Sequence, residues 1–166
     1  MEQKSLTALI SAFSRAYHAL NNEVTIFNDS LARDLLTDEE FNQIAKNMSD
    51  GIGFFNPSFV GEPEQALRWV VDNQLSPSPL GRAAFAEKSL EWAVRTGTEQ
   101  YLIWGAGYDT FAYRQPLWAK ALQIFEVDHP ATARDKQERL KSAGIVIPDN
   151  VHKSEAKRSR KTMKRC

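Results

Sequence analysis

The sequence predicts an α/β chain in which an amino-terminal helical region leads into the start of a doubly wound parallel sheet. Three observations carry this expectation. Residues 5–20, "SLTALISAFSRAYHAL", repeat apolar side chains at three- and four-residue intervals, which is one stripe of an amphipathic helix. Beyond residue 97 the texture changes to short apolar runs, "YLIW" and "QIFEV", that alternate with helical stretches, the grammar of strand, crossover and strand. Between the two runs stands "GAG", a bare turn placed where the first strand ends.

Taken in order, Ser5 is the expected cap of the first helix, whose stripe runs through Leu9, Phe13, Ala16 and Tyr17, with His18 just off it as a surface or partly packed residue. Residues 29–49 read as two short helices, "DSLARDLL" and "TDEEFNQIAKNM", the second opened by a capping box from Thr37 to Glu40. "SDGIGFFNPSFVGEP" reads as an irregular loop whose Phe54, Phe55 and Phe59 plug a core. A helix from about Glu62 to Asn73 follows, "SPSP" is expected to break it, and residues 81–96 are the strongest helix, stopped at Gly97. Both later strands are short and apolar, as expected of strands buried on both faces, and the second runs into a helix that begins at Pro130.

Composition narrows the function. With 42% hydrophobic and 25% charged residues the chain is that of an ordinary globular domain. It has no apolar run of about 18 residues and no secretory pattern, so a cytoplasmic location without a membrane partner is expected. The single cysteine is Cys166, and the three histidines are scattered, so no disulfide and no metal centre are expected. The formal charge of zero conceals an asymmetry: residues 152–166 carry a net +6 and residues 1–151 a net −6. An acidic body ends in a basic tail.

The turn "YLIWGAGYDTFAYR" admits three readings: a nucleotide phosphate site, a site for another adenosine cofactor, or a tight turn with no ligand. A dinucleotide fold wants a third glycine, but Thr110 stands in its place, and Asp109 sets a negative charge where phosphates would sit. A P-loop is excluded because no Gly-Lys-Ser/Thr follows. S-adenosyl-L-methionine has no phosphate and asks for a bare turn, an acceptor for its ribose diol and a cation for its carboxylate. Gly105 and Gly107 would let the backbone approach it, Asp128, 23 residues after Gly105, would accept from the diol, and Arg82 would clamp the carboxylate. Each has a plainer alternative: an empty turn, a cap on the helix at Pro130, and a surface arginine. Asp109 reads as a cap or as a partner of Arg114 rather than as a base.

"SPLGRAAFAEKSLEWAV", "YLIWGAGYDTFAYR" and "IFEVDHPATARDKQERL", in this order, resemble the leucine carboxyl methyltransferase-like family of class I S-adenosylmethionine-dependent methyltransferases, over most of residues 1–151. The resemblance implies a Rossmann-like methyltransferase fold with an amino-terminal helical cap over the cofactor cleft. It also implies that Arg82 binds the cofactor carboxylate, that Gly105 belongs to the first glycine motif and that Asp128 binds the ribose. The family sheet has seven strands, whereas only two are legible here, so the fold is expected to be incomplete. Residues 1–97 are then the helical cap and the first helix packing on the sheet, 98–150 the first part of the core, and 151–166 a basic tail, disordered or read out of frame. Its lysines and arginines argue against a buried strand, and its lack of aromatics argues against specific nucleic-acid binding.

The function expected from these readings is methyl transfer from S-adenosyl-L-methionine to a carboxylate or hydroxyl oxygen of a small molecule or protein, in a form that truncation could inactivate. The contribution of the protein would be proximity and alignment, with no general base, so no catalytic residue is named. Two alternatives remain: a non-catalytic remnant or interaction module of the same ancestry, self-associating through an exposed sheet edge, and a nicotinamide-binding protein that the missing third glycine disfavours.

Overall fold

The computed structural model describes residues 5–22 and 26–155. Helix α1 spans Leu6–Asn21, and the Ser5 hydroxyl accepts from the Ala8 amide at 3.3 Å, the cap its sequence position suggested. Helix α2, Asp38–Asp50, opens with the Thr37–Glu40 capping box, both bonds 3.1 Å long. A single turn, α3 (Ile52–Phe55), leads to α4 (Pro63–Val70), which widens into a π-type turn over Val71–Leu75 before α5, Pro77–Arg95. Strand β1 is Gln100–Trp104, two 3-10 turns cover Phe111–Tyr113 and Leu117–Ala119, and β2 is Gln123–Asp128. Helix α6, Pro130–Ser142, precedes β3, Val151–Glu155.

The described strands form one parallel sheet of order β1-β2-β3, with Tyr101 opposite Ile124 and Ile124 opposite Val151. Helices before the sheet and between its strands make this a Rossmann-like α/β arrangement. Two apolar clusters hold it. Phe13 and Tyr17 of α1 pack with Leu35, Ile44 and Tyr108, while Leu90 of α5 packs with Phe111, Leu122 and Ile124. Among the described residues no helix is long and apolar enough to cross a membrane.

Several sequence expectations need correction. Residues 29–36 are not a helix but successive turns, closed by i→i+3 bonds such as Ala32 N–H to the Asp29 carbonyl. "SPSP" does end the preceding helical run, at Leu75, but the next helix starts inside it, because Pro77 sits at the first position of α5, where no amide donor is required, so α5 starts four residues before Gly81. Phe54 is 85% exposed and Phe55 is exposed too, so neither plugs a core. Among the described residues strand β1 is covered on one face only: Tyr101 and Ile103 join the second cluster, whereas Leu102 and Trp104 face outward.

The largest correction concerns residues 151–155, which pair with β2 as a third strand instead of starting a tail. Pairing a lysine-bearing segment as a strand does carry a cost. Lys153 faces inward, its Nζ buried with no hydrogen-bond partner and 5.5 Å from the Tyr113 ring centroid. As the last strand in the described order, β3 makes its ladder to β2 while the alternate residues His152 and Ser154 stay at the surface, so one awkward amine is all that pairing requires. Residues 156–166, the rest of the expected tail, lie outside the described residues.

Candidate functional site

At the carboxyl end of β1 the ladder continues one step, with the Gly105 amide donating to the Val127 carbonyl at 2.8 Å, and the chain then turns sharply. Gly105 has φ +69° and Gly107 φ +48°, a region where a Cβ crowds its own backbone. The two glycines differ in surroundings. A Cβ on Gly105 would meet open space, but on Gly107 it would come within 3.2 Å of the Ala8 side chain of α1. The turn is therefore bare toward one side and closely packed by the first helix on the other.

Asp128 ends β2 beside this turn. Its Oδ2 accepts from the Gly107 amide at 2.5 Å and its Oδ1 from the His129 amide at 2.6 Å. It does not cap α6; His129 does, its Nδ1 accepting from the Ala131 amide at 3.3 Å. An ionised carboxylate offers about four lone-pair sites, so with one backbone bond on each oxygen Asp128 can still accept from two further hydroxyls. Asp109 caps its own turn by accepting from the Phe111 amide at 2.8 Å, and the Arg114 fork goes to Glu87 of α5 instead.

Arg82 lies in the first half of α5, exposed and without an ion-pair partner among the described residues. A cleft of about 660 Å³ joins Arg82, Gly105, Gly107, Asp109 and Asp128, within the size range of small-molecule sites. The four residues picked out from sequence thus line one hollow. Its donor set suits an adenosine cofactor without phosphate: a guanidinium with free donors, a turn without side chains, and a carboxylate with spare lone pairs. A pyrophosphate would meet two aspartates there.

The opposite wall was missed in the sequence. Thr7, Ser11 and Arg15 of α1 line the cleft at four-residue spacing, a polar stripe beside the apolar one. That spacing is visible in the sequence, but the apolar stripe is the stronger signal of the two. His18 is buried and accepts from the Ile26 amide at 3.0 Å, a packed structural histidine that stands outside the cleft lining.

Parallel strands, a glycine turn after the first and an acid closing the second define a Rossmann-like protein built to take a ligand at the carboxyl ends of its strands. Comparison with known proteins narrows this class. The model of the leucine carboxyl methyltransferase family matches residues 8–159, and the chain belongs to that family. It is 47% identical over 154 residues to YktD of Bacillus subtilis, a protein designated a candidate S-adenosyl-L-methionine-dependent methyltransferase. It is 29% identical over 134 residues to proteins of Mycobacterium tuberculosis and Mycobacterium bovis that carry the same designation. These alignments cover 90% and 81% of this chain but only 51% and 36% of the relatives, so the chain spans about half the length of the first and about a third of the others.

Proposed function

We propose that the cleft binds S-adenosyl-L-methionine and that the activity to which this chain belongs is methylation of a carboxylate or hydroxyl oxygen on a small molecule or protein. The observation that carries the reading is the convergence of Arg82, the Gly105–Gly107 turn and Asp128 on one hollow. The family supports it, as do the names of the relatives. When bound, the cofactor would supply an activated methyl group for transfer to the oxygen.

The residues of the chain would bind and align. Arg82 would fork onto the carboxylate of the methionine moiety, and Gly105 and Gly107 would bring main chain against it without side-chain obstruction. Asp128, already oriented by two backbone amides, would accept from the ribose diol. No general base is assigned, since a carboxylate acceptor needs none and alignment supplies much of the acceleration.

The test is calorimetric titration of the folded protein with S-adenosylhomocysteine and, in parallel, with NADH. Saturable heat with the first and none with the second is expected. A folded protein that gives no heat with S-adenosylhomocysteine, or that prefers NADH, would contradict the reading. A second reading, a non-catalytic interaction module that self-associates through β1, is favoured by one observation, the 56% exposure of Leu102 and 75% of Trp104. It predicts a mass that rises with concentration in light scattering and no heat with S-adenosylhomocysteine.

A further inference from the structure

We infer that Asp29, with Arg15 and Thr110, forms a positioning device that sets the shape of the cleft by tying its walls to one buried carboxylate; the inference rests on the binding role proposed above. Asp29 is 1% exposed and lies in the run of turns between α1 and α2, outside the cleft lining itself. Both its oxygens are used by side chains from elsewhere. Oδ2 accepts from Arg15 Nε at 2.8 Å, and Oδ1 accepts from the Thr110 hydroxyl at 2.5 Å with Arg114 Nε 3.4 Å away.

Each partner continues into the cleft wall. Arg15 of α1 also donates through Nη2 to the Tyr108 carbonyl at 2.8 Å and through Nη1 to Ser11, so four hydrogen bonds occupy its guanidinium although it lines the hollow. It therefore positions, leaving Arg82 as the guanidinium with donors to spare. Thr110 accepts in turn from Arg114 Nε at 2.9 Å, and Arg114 forks onto Glu87, next to the cleft-lining Ala86 on the helix that bears Arg82. Tyr108 and Thr110 flank Asp109, so the segment carrying both glycines is gripped at its far end.

Apolar packing holds the same elements together but is non-directional, and it leaves their relative rotation and the path of the turn free to shift. Hydrogen bonds to ionised groups are directional and strong in buried surroundings, and two guanidiniums facing two carboxylates keep the cluster neutral. Arg15, Asp29, Arg114 and Glu87 make that balance. A ligand clasped between Arg82 and Asp128 needs the turn in one place, and this network is what fixes it.

The test compares Thr110→Val, which deletes the hydroxyl, with Thr110→Ser, which keeps it, by amide hydrogen exchange in the ligand-free protein and by titration with S-adenosylhomocysteine. Should Thr110→Val fail to fold, Arg15→Lys, which keeps the charge but loses the arm to the Tyr108 carbonyl, carries the same measurements. Exchange of the Gly107 and Asp109 amides is expected to rise about tenfold in Thr110→Val with the α6 amides unchanged, S-adenosylhomocysteine affinity to fall about tenfold, and Thr110→Ser to restore both. Equal acceleration at the turn and in α6, or no acceleration at the turn, would overturn the inference. If the wild-type protein gives no heat with S-adenosylhomocysteine but the turn loosens selectively, the binding role falls and the positioning device stands. If the wild-type protein binds and the variant binds equally with an unchanged turn, the device falls alone.

Discussion

The two faces of β1 are made by alternate residues of one strand and meet opposite fates. Tyr101 and Ile103 pack against Phe111 and Leu122, on the side where α5 and the glycine turn build the cleft. Leu102 and Trp104 carry comparable apolar surface on the other side, where nothing among the described residues covers it. The first region is closed by directional bonds between distant elements: Gly107 to Asp128, Arg15 to Tyr108, Arg114 to Glu87. The outer region has apolar surface without closure among the described residues, whereas the unpartnered Lys153 of β3 lies on the inner face, in register with Glu126 and Ile103. The difference teaches that the cleft side is held by directional bonds between elements remote in sequence, while the outer face of β1 offers open apolar surface among the described residues.

If that contrast holds, changes in the cleft lower binding or folding, and changes on the outer face or in β3 leave stability alone or raise it. The largest effect is expected at Asp128→Asn. A charge-assisted hydrogen bond contributes ~1.5–3 kcal/mol, so calorimetry should show S-adenosylhomocysteine affinity falling by about tenfold to a hundredfold. Gly105→Val comes next. Its Cβ meets open space, so the cost is backbone strain at φ +69°, ~1–2 kcal/mol of unfolding free energy from urea denaturation. Arg82→Ala, at an exposed position, should weaken S-adenosylhomocysteine by about tenfold and leave the midpoint unchanged.

Lys153→Met should move the other way, raising stability at pH 7 by ~1 kcal/mol, because a buried donor without a partner is removed. Burial holds the Lys153 ammonium below its ordinary pKa of 10.5; Glu126 pulls the value back up and Lys136 adds to the lowering. The unfolded chain then binds this proton more tightly than the folded one, so wild-type stability rises with pH between the folded value and 10.5. Denaturation at pH 7 and at pH 10 should therefore show the advantage of the variant shrinking as pH rises. The smallest effect is expected for Trp104→Ser, within ~0.5 kcal/mol of wild type in the urea midpoint. It should lower any concentration-dependent mass seen by light scattering. A large loss of stability there would mean that the outer face is not open.

Much of the fold was legible because local chemistry wrote it. The Ser5 and Thr37 caps, the periodicity of α1 and the apolar runs of β1 and β2 all mark their own positions. The cleft was legible through residue types with few other uses, the paired glycines and the acid closing β2. What failed depends on partners remote in sequence. "DSLARDLL" has helical periodicity, yet Asp29 is engaged by Arg15 and Thr110, and the backbone around it closes as turns. Phe54 is apolar but sits on a single exposed turn, a placement that only tertiary structure decides. The α1 wall was missed because Thr7, Ser11 and Arg15 look like the solvent side of an amphipathic helix, and nothing local says that Gly107 packs on Ala8. Strand β3 was missed because pairing to β2 outweighs one poorly placed amine.

The central claim is that one hollow between α1, α5 and the two strand ends holds the cofactor, and amide and guanidinium chemical-shift mapping during titration with S-adenosylhomocysteine tests it most directly. The account predicts saturable shifts at Gly105, Gly107, His129 and the Arg82 side chain, with Leu102, Trp104 and His152 unmoved. Shifts confined to the outer face of β1, or a saturating ligand that leaves the glycine turn undisturbed, would contradict it.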